Sequence, residues 1–155
     1  MANKNIALVH NSETLCYLLS EMLKGKAEVE SFQQVGPANV SLTQKRYGLI
    51  VASLVLAPGI AYHEDPKIKE IVDQYGNSDR GYVKIAEEII KRARKGINKE
   101  TPILAVSDSP SIDFLVGGGK STKDFALAAG ATEYLDLTKQ GSGHRLIERI
   151  NRYLR

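Results

Sequence analysis

Residues 47–59 read Tyr47-Gly-Leu-Ile-Val-Ala-Ser-Leu-Val-Leu-Ala-Pro-Gly59, and their reading decides the fold class. Between Leu49 and Leu56 only Ser53 is polar. A run this apolar and this short, stopped by Pro58-Gly59, is a strand covered on both faces, because a half-exposed strand alternates and a surface helix carries a polar stripe. Such strands belong to parallel sheets, in which each crossover is a helix. The same signature recurs at Ile6-Ala-Leu-Val9, which ends in His10-Asn11, and at Pro102-Ile-Leu-Ala-Val106, which ends in Ser107. Weaker strands fit Ala27–Phe32 and Glu133–Leu137.

Helical periodicity fills the intervals. Ser12 is placed to cap a helix carrying Leu15, Leu18, Leu19, Met22 and Leu23, with Gly25 as its stop. A poorly patterned stretch around Val40 and Leu42 reads as a short second helix. Tyr82, Ile85, Ala86, Ile89, Ile90 and Ala93 mark a strongly amphipathic one, with Lys91, Arg92, Arg94 and Lys95 complementing the dipole of its last turns. Two more run from Thr122 to Ala129 and from His144 to Tyr153. The order is (βα)₅, an α/β domain of three layers with right-handed crossovers, and the simplest doubly wound strand order is 2-1-3-4-5. Sites in such sheets lie beyond the C-terminal strand ends, which directs attention to His10, Asn11, Ser53, Ser107 and the end of strand five.

The composition excludes several classes. With 155 residues, 43% hydrophobic and 25% charged, the chain builds one core and one domain, 1–155. Twenty-one basic against eighteen acidic residues leave +3, too little for a dedicated nucleic-acid or membrane-surface protein. No apolar run reaches the roughly 18 residues of a membrane helix, and the first residues carry no signal-peptide pattern, so a cytoplasmic location is expected. Cys16 has no partner for an internal disulfide and reads as a small buried hydrophobe, and no Cys/His cluster has zinc spacing. No metal site and no cofactor are expected.

Five strands, five helices and ordinary connections need about 122 residues, which leaves a surplus of about 33. Residues 60–79 hold much of it as an insertion between strand three and helix three, with a helical turn or two expected after Pro66, and a long loop at 107–121 holds most of the rest.

Four stretches together resemble the receiver domain of two-component response regulators, a flavodoxin-like fold: Ile6–Asn11, Tyr47–Gly59, Pro102–Ser107 and, most distinctive, Ala128-Ala-Gly-Ala-Thr-Glu-Tyr-Leu135. The resemblance implies a magnesium-binding acidic pair after strand one, a phosphoacceptor aspartate ending strand three, a Ser/Thr after strand four and a lysine after strand five. This sequence departs from that set. His10 and Asn11 stand at the acidic pair, Ser53 or Leu54 at the acceptor, and Leu137 at the lysine, with Lys139 two residues late. Only Ser107 matches. An amide and a neutral imidazole make a poor Mg²⁺ site, and neither Ser53 nor Leu54 can form an acyl phosphate. The chain therefore resembles a pseudo-receiver whose resemblance carries fold without phosphotransfer, and it implies a phosphorylation-independent regulatory module acting in signal transduction through protein–protein interaction.

Two further features compete. Val116-Gly-Gly-Gly-Lys-Ser-Thr122 lacks the first glycine of a nucleotide-binding P-loop, whose place is taken by Phe114, and it follows strand four. Gly117, Gly118, Gly119, Lys120 and Ser121 still offer the parts of a weaker anion site, the alternative being a mobile loop with a capping serine. On that alternative function the domain binds an anionic small molecule or nucleotide at the C-terminal strand edge, with residues 60–79 as a lid. On the last helix Arg145, Arg149 and Arg152 share a face. They form either a solvated basic surface or a partner-docking one, with a homodimer among the options and nucleic acid not indicated. No Gly-x-Ser-x-Gly elbow or Ser/His/Asp set marks an enzyme.

Overall fold

The computed structural model describes residues 3–155. Five strands form one sheet: β1 (Asn5–Val9), β2 (Glu28–Phe32), β3 (Leu49–Ser53), β4 (Ile103–Ser107) and β5 (Glu133–Asp136). All neighbours are parallel and the order is β2-β1-β3-β4-β5, as the sequence implied. The helices are α1 (Glu13–Met22), α2 (Val35–Gln44), α3 (Pro66–Tyr75), α4 (Asp79–Lys95), α5 (Ile112–Val116), α6 (Thr122–Ala129) and α7 (Ser142–Leu154).

The central strands are apolar throughout because they serve two cores. Ala7 and Val9 of β1, Ile50 and Ala52 of β3, and Ile103 and Ala105 of β4 face a core shared with α2, α4 and α6. Ile6 and Leu8, Leu49 and Val51, and Leu104 and Val106 face a second core under α1 and α7. Alternation exists, but both faces are dry, so it leaves no polar trace in the sequence. β3 is shorter than its apolar run. After Ser53 the chain leaves the sheet, yet Leu54 and Leu56 stay buried.

Residues 60–79 hold more structure than the sequence suggested. A 3₁₀ turn at Tyr62–Glu64 is followed by the ten-residue helix α3. Asp65 caps it, its Oδ1 accepting from the backbone N–H of Lys67 and Ile68 at 3.2 Å, and Pro66 supplies the first helical residue. Ile68, Ile71 and Val72 form its buried face, which packs chiefly on α4. Asp-Pro followed by apolar residues at helical spacing was the available signal for this helix. The stretch at 107–121 likewise contains a short helix, α5, where the sequence read as loop.

Candidate functional site

Parallel pairing sets Val9 beside Phe32 and Ala52, Ser53 beside Val106, and Ser107 beside Asp136. This register brings His10, Ser53, Ser107 and the residues after β5 to one edge, the C-terminal rim where α1 begins.

His10 is buried, and its ring is oriented by α1: Nδ1 accepts from the backbone N–H of Ser12 at 2.9 Å. That bond fixes the neutral ring with its proton on Nε2. Nε2 lies 3.4 Å from Asp108 Oδ2 in a direction too poor for a hydrogen bond, and it has no other hydrogen-bond partner among the described residues. Burial pulls the His10 pKa below its ordinary value, and the Asp108 carboxylate offsets this only in part. The Cys16 thiol donates to the His10 carbonyl at 3.6 Å, and burial pushes its pKa up, so it is an inert thiol in the core as expected.

Asn11 acts as a staple between loops. Its amide donates to Gln33 O at 2.7 Å, and its Oδ1 accepts from Ala57 N at 2.9 Å. Ser53 closes a tight turn by donating to Val55 O at 2.9 Å and accepting from Val55 N at 3.1 Å. Leu54, the other acceptor candidate, is fully buried in the core beneath α4. Ser107 is buried and accepts from Ser109 N at 3.3 Å. Its hydroxyl also reaches Tyr134, whose phenol is pushed by burial up to about 12. Lys139 is exposed past β5, two residues beyond the buried-edge position of Leu137.

These donors do not suit Mg²⁺, which requires several oxygen ligands in near-octahedral array. The Asn11 and Ser53 oxygens are committed to backbone N–H groups, the His10 nitrogens are poor ligands for a hard cation, and Asp108 is the carboxylate that approaches the His10 ring. Among the described residues no group of three or more His, Cys, Asp or Glu side chains converges as a metal-binding cluster.

The glycine-rich loop lies between α5 and α6. Gly117, Gly118 and Gly119 all adopt left-handed backbone, at φ 63°, 66° and 73°, which only glycine takes without strain. Ser121 is spent as the α6 cap, accepting from Asp124 N at 3.1 Å. Thr122 is buried and donates to the Asp113 carboxylate, so acidic groups flank the loop beside the exposed Lys120. On α7, Arg149 is paired with Glu133 and Arg152 with Glu148, whereas Arg145 has no carboxylate partner among the described residues. Two of the three arginines therefore have much of their charge answered within the chain.

Sequence reasoning missed Asp108, although an acidic residue directly after a strand-end serine was a visible signal. It also missed a groove of about 460 Å³ between α2 and the chain leaving β3, lined mainly by apolar side chains that include Val35, Val40, Ile60 and Tyr62.

The sequence matches no family model and no curated protein. Solved structures give the fold. The chain is similar to a CheY-like response regulator receiver domain protein from Methanospirillum hungatei, with TM-score 0.65 and 17% identity over 98% of this chain and 94% of that one. It is similar to the receiver domain of a Francisella response regulator, at 0.63 and 16% over 98% and 97% of the two chains. The receiver domain of a Pseudomonas aeruginosa sensor histidine kinase, which has a magnesium ion coordinated in its active-site cleft, matches at 0.62 and 18% over 98% of both chains. The fold is the receiver fold. No helix among the described residues is long and apolar enough to cross a membrane.

Proposed function

We propose that the chain is one receiver-like regulatory domain, with residues 60–79 as an insertion, that signals in the cytoplasm by binding another protein without aspartyl phosphorylation. One observation carries this reading. At the strand-three end, Ser53 is tied into a turn with Val55 and Leu54 is fully buried in the core, so neither presents a carboxylate to a phosphodonor. The committed Asn11 oxygen and the poor donor set around it support the same conclusion. The fold and its surroundings are kept while the groups phosphotransfer needs are replaced by packing and turn-closing ones. No catalytic role is proposed. The anion-binding alternative finds less support, because Ser121 is already a cap and Asp113 and Asp124 lie beside the glycines.

The test is incubation with a small-molecule acyl phosphate and Mg²⁺, read by intact mass. No adduct is the expected result. A stable adduct mapping to the rim of β1, β3 and β4 overturns the reading.

A further inference from the structure

The groove between α2 and the chain leaving β3 is a product of the surplus length. The backbone turns at Gly59, whose φ of 84° is left-handed and where a Cβ would come within 2.6 Å of Gln34 Oε1. It then exposes Ile60 almost completely, at 91%, before the 3₁₀ turn and α3. Asp65 anchors this wall: the Arg92 guanidinium of α4 grips its carboxylate with bonds of 2.5 and 3.0 Å. The opposite wall is the first two turns of α2, where Val40 is 52% exposed. Two large aliphatic side chains thus stand in water on the lips of a concave, mainly apolar surface held by a charged fork. Isolated exposed hydrophobics are ordinary; a pair flanking a preformed groove is the pattern of an interaction site.

The remaining groups define the occupant. The ionisable groups lining the groove are Tyr62, Glu64 and Asp65, and of the two carboxylates Asp65 is already answered by Arg92. Among the described residues Glu64 has no cation partner, so the groove carries a local negative charge on a chain whose net charge is +3. Gln34 and Asn39 present side-chain amides without a hydrogen-bond partner among the described residues, and α2 starts without a side-chain cap. Amides offer a donor and an acceptor side by side, which is what an extended main chain needs.

We infer that this groove docks an extended segment of a partner protein, which buries two apolar side chains against Ile60 and Val40 and places a lysine or arginine at Glu64. The inference rests on the protein-binding reading above and assigns it a surface.

The probe is a randomised heptapeptide display library panned on the immobilised full chain, with the Ile60→Asp variant as counter-selection. The Ile60 side chain faces solvent, and circular dichroism confirms that the variant folds. The expected result is enrichment, over the variant, of peptides with two apolar positions and a basic one. A selected peptide then binds about threefold more weakly when its basic residue is made neutral, the scale of an exposed ion pair, and Glu64→Gln abolishes that difference. Absence of enrichment over Ile60→Asp, an acidic consensus, or a preference that survives Glu64→Gln overturns the proposal. So does concentration-dependent dimerisation of the chain alone that Ile60→Asp abolishes, which assigns the groove to a second copy. The phosphodonor assay is independent of this result: an adduct removes the phosphorylation-independent reading with the groove intact, and a failed selection without an adduct removes the groove alone.

Discussion

The two ends of the sheet treat their buried polar residues in opposite ways. At the N-terminal end, in the turn between α4 and β4, Asn98 is fully buried and satisfied by distant elements. Its Oδ1 accepts from Tyr47 N and Thr101 Oγ1 at 2.9 Å, and its amide donates to Leu42 O at 2.7 Å and Lys45 O at 2.8 Å. Nearby, the Arg94 guanidinium spans the carbonyls of Gly130, Asn98, Lys99 and Thr101. At the C-terminal end, Ser53 and Ser107 each accept from the backbone N–H two residues ahead, and His10 leaves a buried N–H without a partner among the described residues. Long-range closure at one end makes a fastener. Local closure of the buried side chains at the other leaves long-range bonding there to the exposed Asn11, which ties Gln33 O to Ala57 N.

The comparison fails if the fastener is dispensable. Asn98→Ala strands two carbonyls and a buried N–H at once, while the Thr101 hydroxyl keeps Tyr47 O as its acceptor at 3.0 Å, and each buried unpaired group costs about 1–3 kcal/mol before relaxation and water entry. A loss of about 4 kcal/mol in urea unfolding is expected, the largest of any single polar substitution here. A loss below about 1 kcal/mol would mean that water replaces the side chain and that the end is not a fastener.

Asp65 is intermediate, since it joins the insertion to α4 by both a cap and a charged fork. Asp65→Ala is expected to cost about 2 kcal/mol, the sum of a cap near 1 and a partly exposed, bidentate pair. Arg92 holds the Asp65 carboxyl below the usual range, so this stabilisation is complete above pH of about 4 and is lost as pH falls through the lowered folded-state value. Unfolding of the wild type and variant should therefore converge in acid. Divergence there would show that the fork adds nothing to the cap.

What the sequence could and could not reveal follows the same division. Leu49–Ser53 and its two apolar counterparts betray a doubly covered parallel sheet because burial on both faces forbids polar residues, and that constraint is local. Ser107 and His10 were legible as rim residues because strand ends are marked by an abrupt change to polar residues. Asn98 was not, because Gly96-Ile-Asn-Lys-Glu-Thr101 has the composition of any exposed turn, and its partner Leu42 lies 56 residues away. The groove was hidden for the same reason: its anchor joins Asp65 to Arg92 across 27 residues, and only the angle at which α3 meets α4 brings them together. Pairings fixed by crossover geometry leave no periodicity to read.

The smallest effect concerns His10, the buried rim side chain whose Nε2 lacks a partner among the described residues. Burial lowers the His10 pKa, so below about pH 6.5 the unfolded chain takes up a proton that the folded chain resists, and stability falls as pH drops. The groups facing the ring are the Ser12 N–H, which occupies Nδ1 and disfavours nothing in the neutral form, and Asp108, which favours the cation. Since Asp108 is more than half exposed, solvent screens its pull, and burial wins. Relative to His10→Gln, the wild type should lose stability between about pH 7 and pH 5 with a slope no steeper than about 1.4 kcal/mol per pH unit, measured by urea unfolding across that range. Asp108→Asn should steepen the loss slightly, by removing the carboxylate that favours the protonated ring. A wild type that gains on His10→Gln as pH falls would reverse the order of the two influences, and would make the His10–Asp108 contact an ion pair that fastens the rim as Asn98 fastens the opposite end.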